Sequence, residues 1–226
     1  MMQERFESLW QRLGADNAPD ANAVTQAWRT KGRYYHDETH LQHVIDMLDW
    51  SRTALEKTGE VTHLSPGEKQ NLFDTVELAL WYHDIIYDPT AKDNEAQSRD
   101  MFLAHAAAAG LPESIQHKVA ALIDLTAAHT SASSLMENLM VDCDLAVLGA
   151  DKDTFQKYDD NIRKEYAFVP ADIYAQHRAA VMQHFLDSKP VFKTKAFQNA
   201  FNASAERNLK DCIRRHKAQT ATPPQP

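Results

Sequence analysis

Glycine is scarce in this chain, with six residues in 226. So few conformationally free positions leave little material for the tight turns of an all-β fold, and the wealth of Ala, Leu, Gln, Glu and Lys favours helices. Cysteine is limited to Cys143 and Cys212, which excludes a disulfide framework, and neither sits in a metal-binding Cys spacing. Reduced core thiols are therefore expected. No run of about 18 apolar residues occurs, so no membrane-spanning helix is expected. The opening segment MMQERFESLWQRLG is charged and lacks the apolar stretch of an export signal, which points to a cytoplasmic protein. Positive charge is also in deficit: 24 Lys and Arg against 32 Asp and Glu give a net charge of −8. That balance argues against nucleic-acid polymers and anionic membranes as partners, though not against local phosphate binding.

What is present is helical periodicity. Phe6, Leu9, Trp10 and Leu13 share one face over residues 3–13, and a short helix runs through Val24, Ala27 and Trp28 toward Gly32. A third begins at Asp37 or Thr39, both good N-cap residues, and carries Val44, Ile45, Leu48 and Leu55 to about Lys57. Residues 68–86 form the most apolar helix, followed by a helix over 94–109 and one entered through Pro112 with the stripe Ile115, Val119, Leu122, Thr126 and His129. Further helices are expected at 133–141, 151–166, 171–187 and 194–216. No repeat or dividing linker is evident, so residues 1–216 are expected to form one all-α, single-domain helical bundle. Residues 217–226, ending in QTATPPQP, are expected to be a disordered tail.

Three sequence features carry chemistry. His36, His40 and His43 fall in RYYHDETHLQHV, where steps of four and three return to one helix face. If Asp37 caps that helix, His36 lies just outside it and only His40 and His43 stack. Packing beside Tyr34 and Tyr35 is the structural alternative. In ELALWYHDIIYDP, His83 continues the stripe Leu72, Val76, Ala79, and Asp84 continues a neighbouring one. A His and an Asp at the end of so apolar a helix are costly to bury unless paired or metal-bound. Imidazole and carboxylate together suit a divalent Mn, Fe, Co, Ni, Zn or Mg ion. Finally, LMVDCDLAVLGAD places Asp142 and Asp144 inside an apolar segment, where each needs a partner. Asp142 could cap the following helix, which leaves Asp144 as the better ligand candidate.

The order His43, His83-Asp84, Asp144 resembles the HD superfamily of metal-dependent phosphohydrolases, whose signature is H…HD…D in a bundle of helices. The likeness covers residues 25–210 and extends to HLQHV, ALWYHDIIYD, DNEAQS and VDCDLAVLG, which look like one bacterial subgroup of HD phosphohydrolases. The resemblance implies that His43, His83, Asp84 and Asp144 hold one divalent metal ion, with His40 as the alternate first ligand. Two-metal members use a further histidine pair. After the HD pair this chain offers His129 and His105, neither of which reproduces that pair, so one ion is expected. His129 is the alternate extra ligand, or else a hydrogen-bonded core histidine.

The resemblance further implies a small phosphorylated substrate, expected to be a nucleotide, attacked by metal-activated water. Glu95 is the first candidate for general base and Asp88 the second; Glu95 could equally serve the helix dipole. Arg99 and Arg163 are candidates for the phosphate, with Lys164 and Arg178 behind them. Two other readings compete: a ferritin-like oxidase, disfavoured because the required Glu-x-x-His pairs are lacking, and a non-catalytic, metal-stabilised nucleotide-binding sensor or adaptor.

Overall fold

The structure, a computed structural model, describes residues 2–127 and 133–221. Among these residues the chain has ten α-helices, one 3₁₀ turn and no strand. In order the helices are α1 (Met2–Arg12), α2 (Ala21–Ala27), α3 (Glu38–Thr58), α4 (Pro66–Tyr82), α5 (Asn94–Ala108) and α6 (Glu113–Thr126). Then come α7 (Leu135–Asp144), the 3₁₀ turn Leu145–Gly149, α8 (Lys152–Glu165), α9 (Ala171–Asp187) and α10 (Lys195–Ala221). One contiguous hydrophobic core joins them, as an all-α single-domain bundle requires.

Local chemistry sets the helix starts. The Asp37 side chain accepts from the Thr39 and His40 N–H groups and so begins α3, leaving His36 outside the helix. Ser65 and Glu68 form a reciprocal capping box at α4, as Ser134 and Glu137 do at α7. The last helix runs to Ala221, five residues beyond the expected boundary, so residues 217–221 are helix and not tail. Ala and Lys at its end favour extension, and Pro223 lies beyond it.

Helix α4 is the centre of the bundle, packing against α1, α3, α5, α6 and α7. Every residue from Leu72 to Tyr82 is buried, so this helix has no solvent face. Two of its buried residues are carboxylates, and α1 supplies their partners. Arg5 Nε and Nη2 donate to Glu77 at 2.6 and 2.9 Å, and Arg12 Nε and Nη2 donate to Asp74 at 3.0 and 2.9 Å. Both are fork-to-fork pairs, the strongest geometry available to an Arg and a carboxylate.

Helix α10 packs along α9 and crosses the 3₁₀ turn. Gly149 permits that crossing: a Cβ there would lie 2.5 Å from Phe201 Cβ and 3.2 Å from Phe192 Cε2. Gly149→Ala is therefore expected to destabilise the fold by about 1–3 kcal/mol through overpacking. Urea denaturation checks this, and an unchanged midpoint would show that α10 can yield. No helix among the described residues is long and apolar enough to cross a membrane.

Candidate metal centre

Helix α4 ends at Tyr82, four residues earlier than its apolar stripe suggests. His83 is the C-cap, and Asp84 lies in the turn beyond it. The freed backbone is held by Arg33, whose Nη1 donates to the Asp84 and His36 carbonyls at 2.7 and 2.8 Å and whose Nη2 donates to the Ile85 carbonyl at 2.8 Å. A cation just beyond the C-terminus of a helix also complements its dipole. One side chain thus ties the segment before α3 to the segment after α4.

That tie brings together His40 of α3, His83 and Asp84 after α4, and Asp144 at the end of α7. The Nε2 atoms of His40 and His83 are 3.2 Å apart. Asp144 Oδ1 is 3.4 Å from each of them. Asp84 Oδ2 is 3.2 Å from His83 Nε2 and 3.8 Å from His40 Nε2. The His83 Nδ1–H donates to the Leu80 carbonyl at 2.9 Å, which fixes the tautomer and turns the Nε2 lone pair toward the other three atoms. Trp28 closes the floor. It is fully buried, its Nε1 donates to the Trp81 carbonyl at 3.1 Å, and its ring lies 5.6 Å from that of His83.

Electrostatics follow from this convergence. Burial lowers the pKa of His40, only partly opposed by Asp144. Burial also acts to lower His83, but Asp84 and Asp144 outweigh it and hold that ring well above its ordinary value. Asp84 is pulled down by His83 against the effect of burial. Two carboxylates beside two buried imidazoles thus favour positive charge at this place.

The other histidines stand apart. His43 lies three residues beyond His40, about 60° round the helix. Its Nε2 is buried without a hydrogen-bond partner, and it shares no ion pair with the cluster. The position expected for His43 is therefore occupied by His40, the alternate. His129 lies outside the described residues. Asp142 caps nothing of its own helix. It is 1% exposed, and it accepts from the Lys193 and Thr194 N–H groups and the Thr194 hydroxyl, each at 2.7 Å.

The cluster opens into a cavity of about 820 Å³ lined in part by His36, Asp84, Tyr87, Glu95, Asp144 and Tyr166. Glu95 thus shares the cavity. Asp88 does not line it: its carboxylate accepts from the Thr90 N–H and hydroxyl at 2.8 and 2.7 Å and shapes the loop. Arg99 and Arg163 are also elsewhere. Arg99 pairs with Asp100 and Asp124 on the exterior, and Arg163 donates to the Tyr166 and Val169 carbonyls.

Glu165, which the sequence did not single out, organises the wall. It is 4% exposed and accepts from the Tyr34, Tyr35 and His36 N–H groups at 2.7, 2.7 and 3.0 Å. His36 Nδ1 donates to it at 2.7 Å and the Tyr87 hydroxyl at 2.9 Å. Burial would raise this carboxyl, but His36 and the backbone donors outweigh it and hold it at about 2. A folded value below the unfolded value of about 4.3 means that the charged form stabilises the fold. That contribution, on the order of 3 kcal/mol, is fully present at neutral pH and lost as pH falls from about 4.3 toward 2. Glu165→Gln is expected to flatten that part of the acid-unfolding profile; a parallel profile would show that Glu165 is not the titrating group.

No family model, no curated protein and no solved structure matches the chain.

Proposed function

We propose that this chain is a metal-dependent phosphohydrolase of the HD type, acting on a small phosphorylated substrate, with a nucleotide as the leading class. One observation supports the reading above others: ligand atoms of His40, His83 and Asp144 converge at 3.2–3.4 Å, with Asp84 3.2 Å from His83, beside a solvent-connected cavity. Atoms about 2.0–2.2 Å from a shared divalent ion stand roughly 3–3.5 Å from one another, so His40, His83 and Asp144 fit a single ion, and Asp84, 3.2 Å from His83 Nε2, stands beside them. The resemblance of HLQHV, ALWYHDIIYD and VDCDLAVLG to the HD superfamily points the same way, with His40 as first ligand.

A divalent ion held by His40, His83 and Asp144 would supply positive charge to a phosphoryl oxygen and lower the pKa of a water there. The chain supplies the rest. His36 gives its Nδ1 to Glu165 and stacks on Tyr87 at 4.2 Å, so its Nε2 is left to hold or move a proton on the cavity side. Glu95 is the second group able to do so.

Elemental analysis of the purified protein is expected to find about one divalent ion per chain, and a metal-supplemented screen of phosphoesters and nucleotides is expected to find turnover. Protein without metal would overturn the centre. Metal-replete protein inert across the screen would replace the hydrolase with a nucleotide-binding module.

A further inference from the structure

Deeper in the same cavity wall, three buried donors have no acceptor. The Nη2 of Arg178 and the hydroxyls of Tyr35 and Tyr174 are each buried without a hydrogen-bond partner, and all three residues line the cavity. More than nine in ten buried polar groups are satisfied, and an orphaned one costs roughly 1–3 kcal/mol. Three on one wall, every one a donor, call for an acceptor.

Charge balance names its sign. Arg178 is 8% exposed, and its Nε donates to Asp159 at 2.8 Å. Asp159 is already shared, with His216 Nε2 at 3.0 Å and Arg215 Nη2 at 3.4 Å. One carboxylate therefore faces two guanidinium groups and an imidazole. Asp159, Cys212 and His216 also lie close enough to suggest a second cation site. The two arginines on that carboxylate oppose a cation there and favour an anion.

Ring contacts connect this wall to the metal-binding cluster. The Tyr35 ring is 4.7 Å from that of His40 and 4.6 Å from that of Tyr158, and the Arg178 guanidinium lies 4.8 Å from the Tyr158 ring. We infer that Arg178, with the Tyr35 and Tyr174 hydroxyls, seats a second anionic group of the substrate, a phosphate or a carboxylate, alongside the phosphoryl group held at the cluster. The first group rests on the phosphohydrolase reading; the seat rests on the orphaned donors and the positive balance. The substrate class narrows to phosphoesters with two anionic groups.

Isothermal titration of the metal-loaded protein with methyl phosphate, phosphoglycolate and propane-1,3-diol bisphosphate tests this. The doubly anionic ligands are expected to bind at least about tenfold more tightly than methyl phosphate, the scale of a charged hydrogen bond. A gain for phosphoglycolate identifies a seat that takes carboxylate; a gain for the bisphosphate alone identifies one for phosphate. Arg178→Met is expected to erase the advantage. Because that variant removes a buried partner of Asp159 and could unfold, Tyr174→Phe carries the test independently. It removes a hydroxyl with no partner, so the melting temperature should hold or rise while the advantage shrinks several-fold. No advantage in the wild type, or an equal advantage in Tyr174→Phe and in folded Arg178→Met, overturns the seat. If phosphoesters are cleaved without that preference, the seat fails and the hydrolase stands. An Arg178-dependent preference with no cleavage leaves the seat and removes the hydrolase.

Discussion

Replacing His40 with alanine is expected to lower the bound divalent ion from about one per chain to a small fraction, and to reduce turnover at least about 100-fold. Loss of a residue that only orients a metal ligand costs 10–100-fold, and loss of a ligand costs no less. His43→Ala is the informative companion. Its ring shares none of the contacts among His40, His83, Asp84 and Asp144, so its metal content is expected to equal that of the wild type. Elemental analysis of the two variants side by side decides the matter. Equal metal in His40→Ala and the wild type would sink the assignment of His40, and metal loss on His43→Ala would restore His43 as the ligand. The sign of the effect is independent of which divalent ion the protein carries.

The second large effect concerns the base of the bundle. Arg5→Ala is expected to destabilise the protein by about 3–5 kcal/mol, because it strands a buried charge. Glu77 is 1% exposed, and without Arg5 its nearest remaining cation is Arg52 Nη2 at 4.0 Å. At about 2–4 °C per kcal/mol for a chain of this length, the melting temperature should fall by roughly 10 °C. The double substitution Arg5→Met with Glu77→Leu should recover most of the loss, since an apolar pair avoids the cost of desolvating two ions. Asp49, the other partner of Arg5, is 46% exposed and returns to water at little cost. Guanidinium denaturation of the wild type and the two variants supplies the comparison. A double variant no more stable than Arg5→Ala would show that the charge pair is needed for more than mutual neutralisation.

Sequence periodicity served best where a helix carries its own signals. Helix α9 occupies 171–187 as expected, with its start set by Pro170, and α3 starts where Asp37 offers a cap. Helix α4 shows the limit of that reasoning. Its apolar stripe continues through Ile85 and Ile86, yet the helix stops at Tyr82 because Arg33, some fifty residues earlier, takes over the carbonyls. Among the site residues, His83, Asp84 and Asp144 announced themselves as polar groups in apolar surroundings. Choosing between His40 and His43 required the azimuth of α3 relative to α4, which neighbouring residues do not encode. Glu165 was legible only as a charge near a helix end, and Arg178 only as a secondary candidate for phosphate. Their roles depend on what meets them across the bundle: the 34–36 segment for Glu165, 129–131 residues away, and Asp159 for Arg178. Arg163, in the same YDDNIRKEY run as Glu165, has equal chemical promise, but its guanidinium is consumed by two carbonyls of its own loop.

The start of α10 has a consequence for the order in which the chain acquires structure. Thr194 caps only the Phe197 N–H, at 3.3 Å, and the other first N–H groups reach far across the sequence: Lys195 and Ala196 donate to Glu60 at 2.9 and 3.0 Å, and Lys193 and Thr194 donate to Asp142. Exposed first-turn donors disfavour a helix, and the two acceptors lie 135 and 51 residues upstream. The longest helix of the chain therefore completes its anchoring only after the loop between α3 and α4 and the end of α7 are in place. Closing separations of that length is entropically slow, which sets the docking of α10 among the last events of folding.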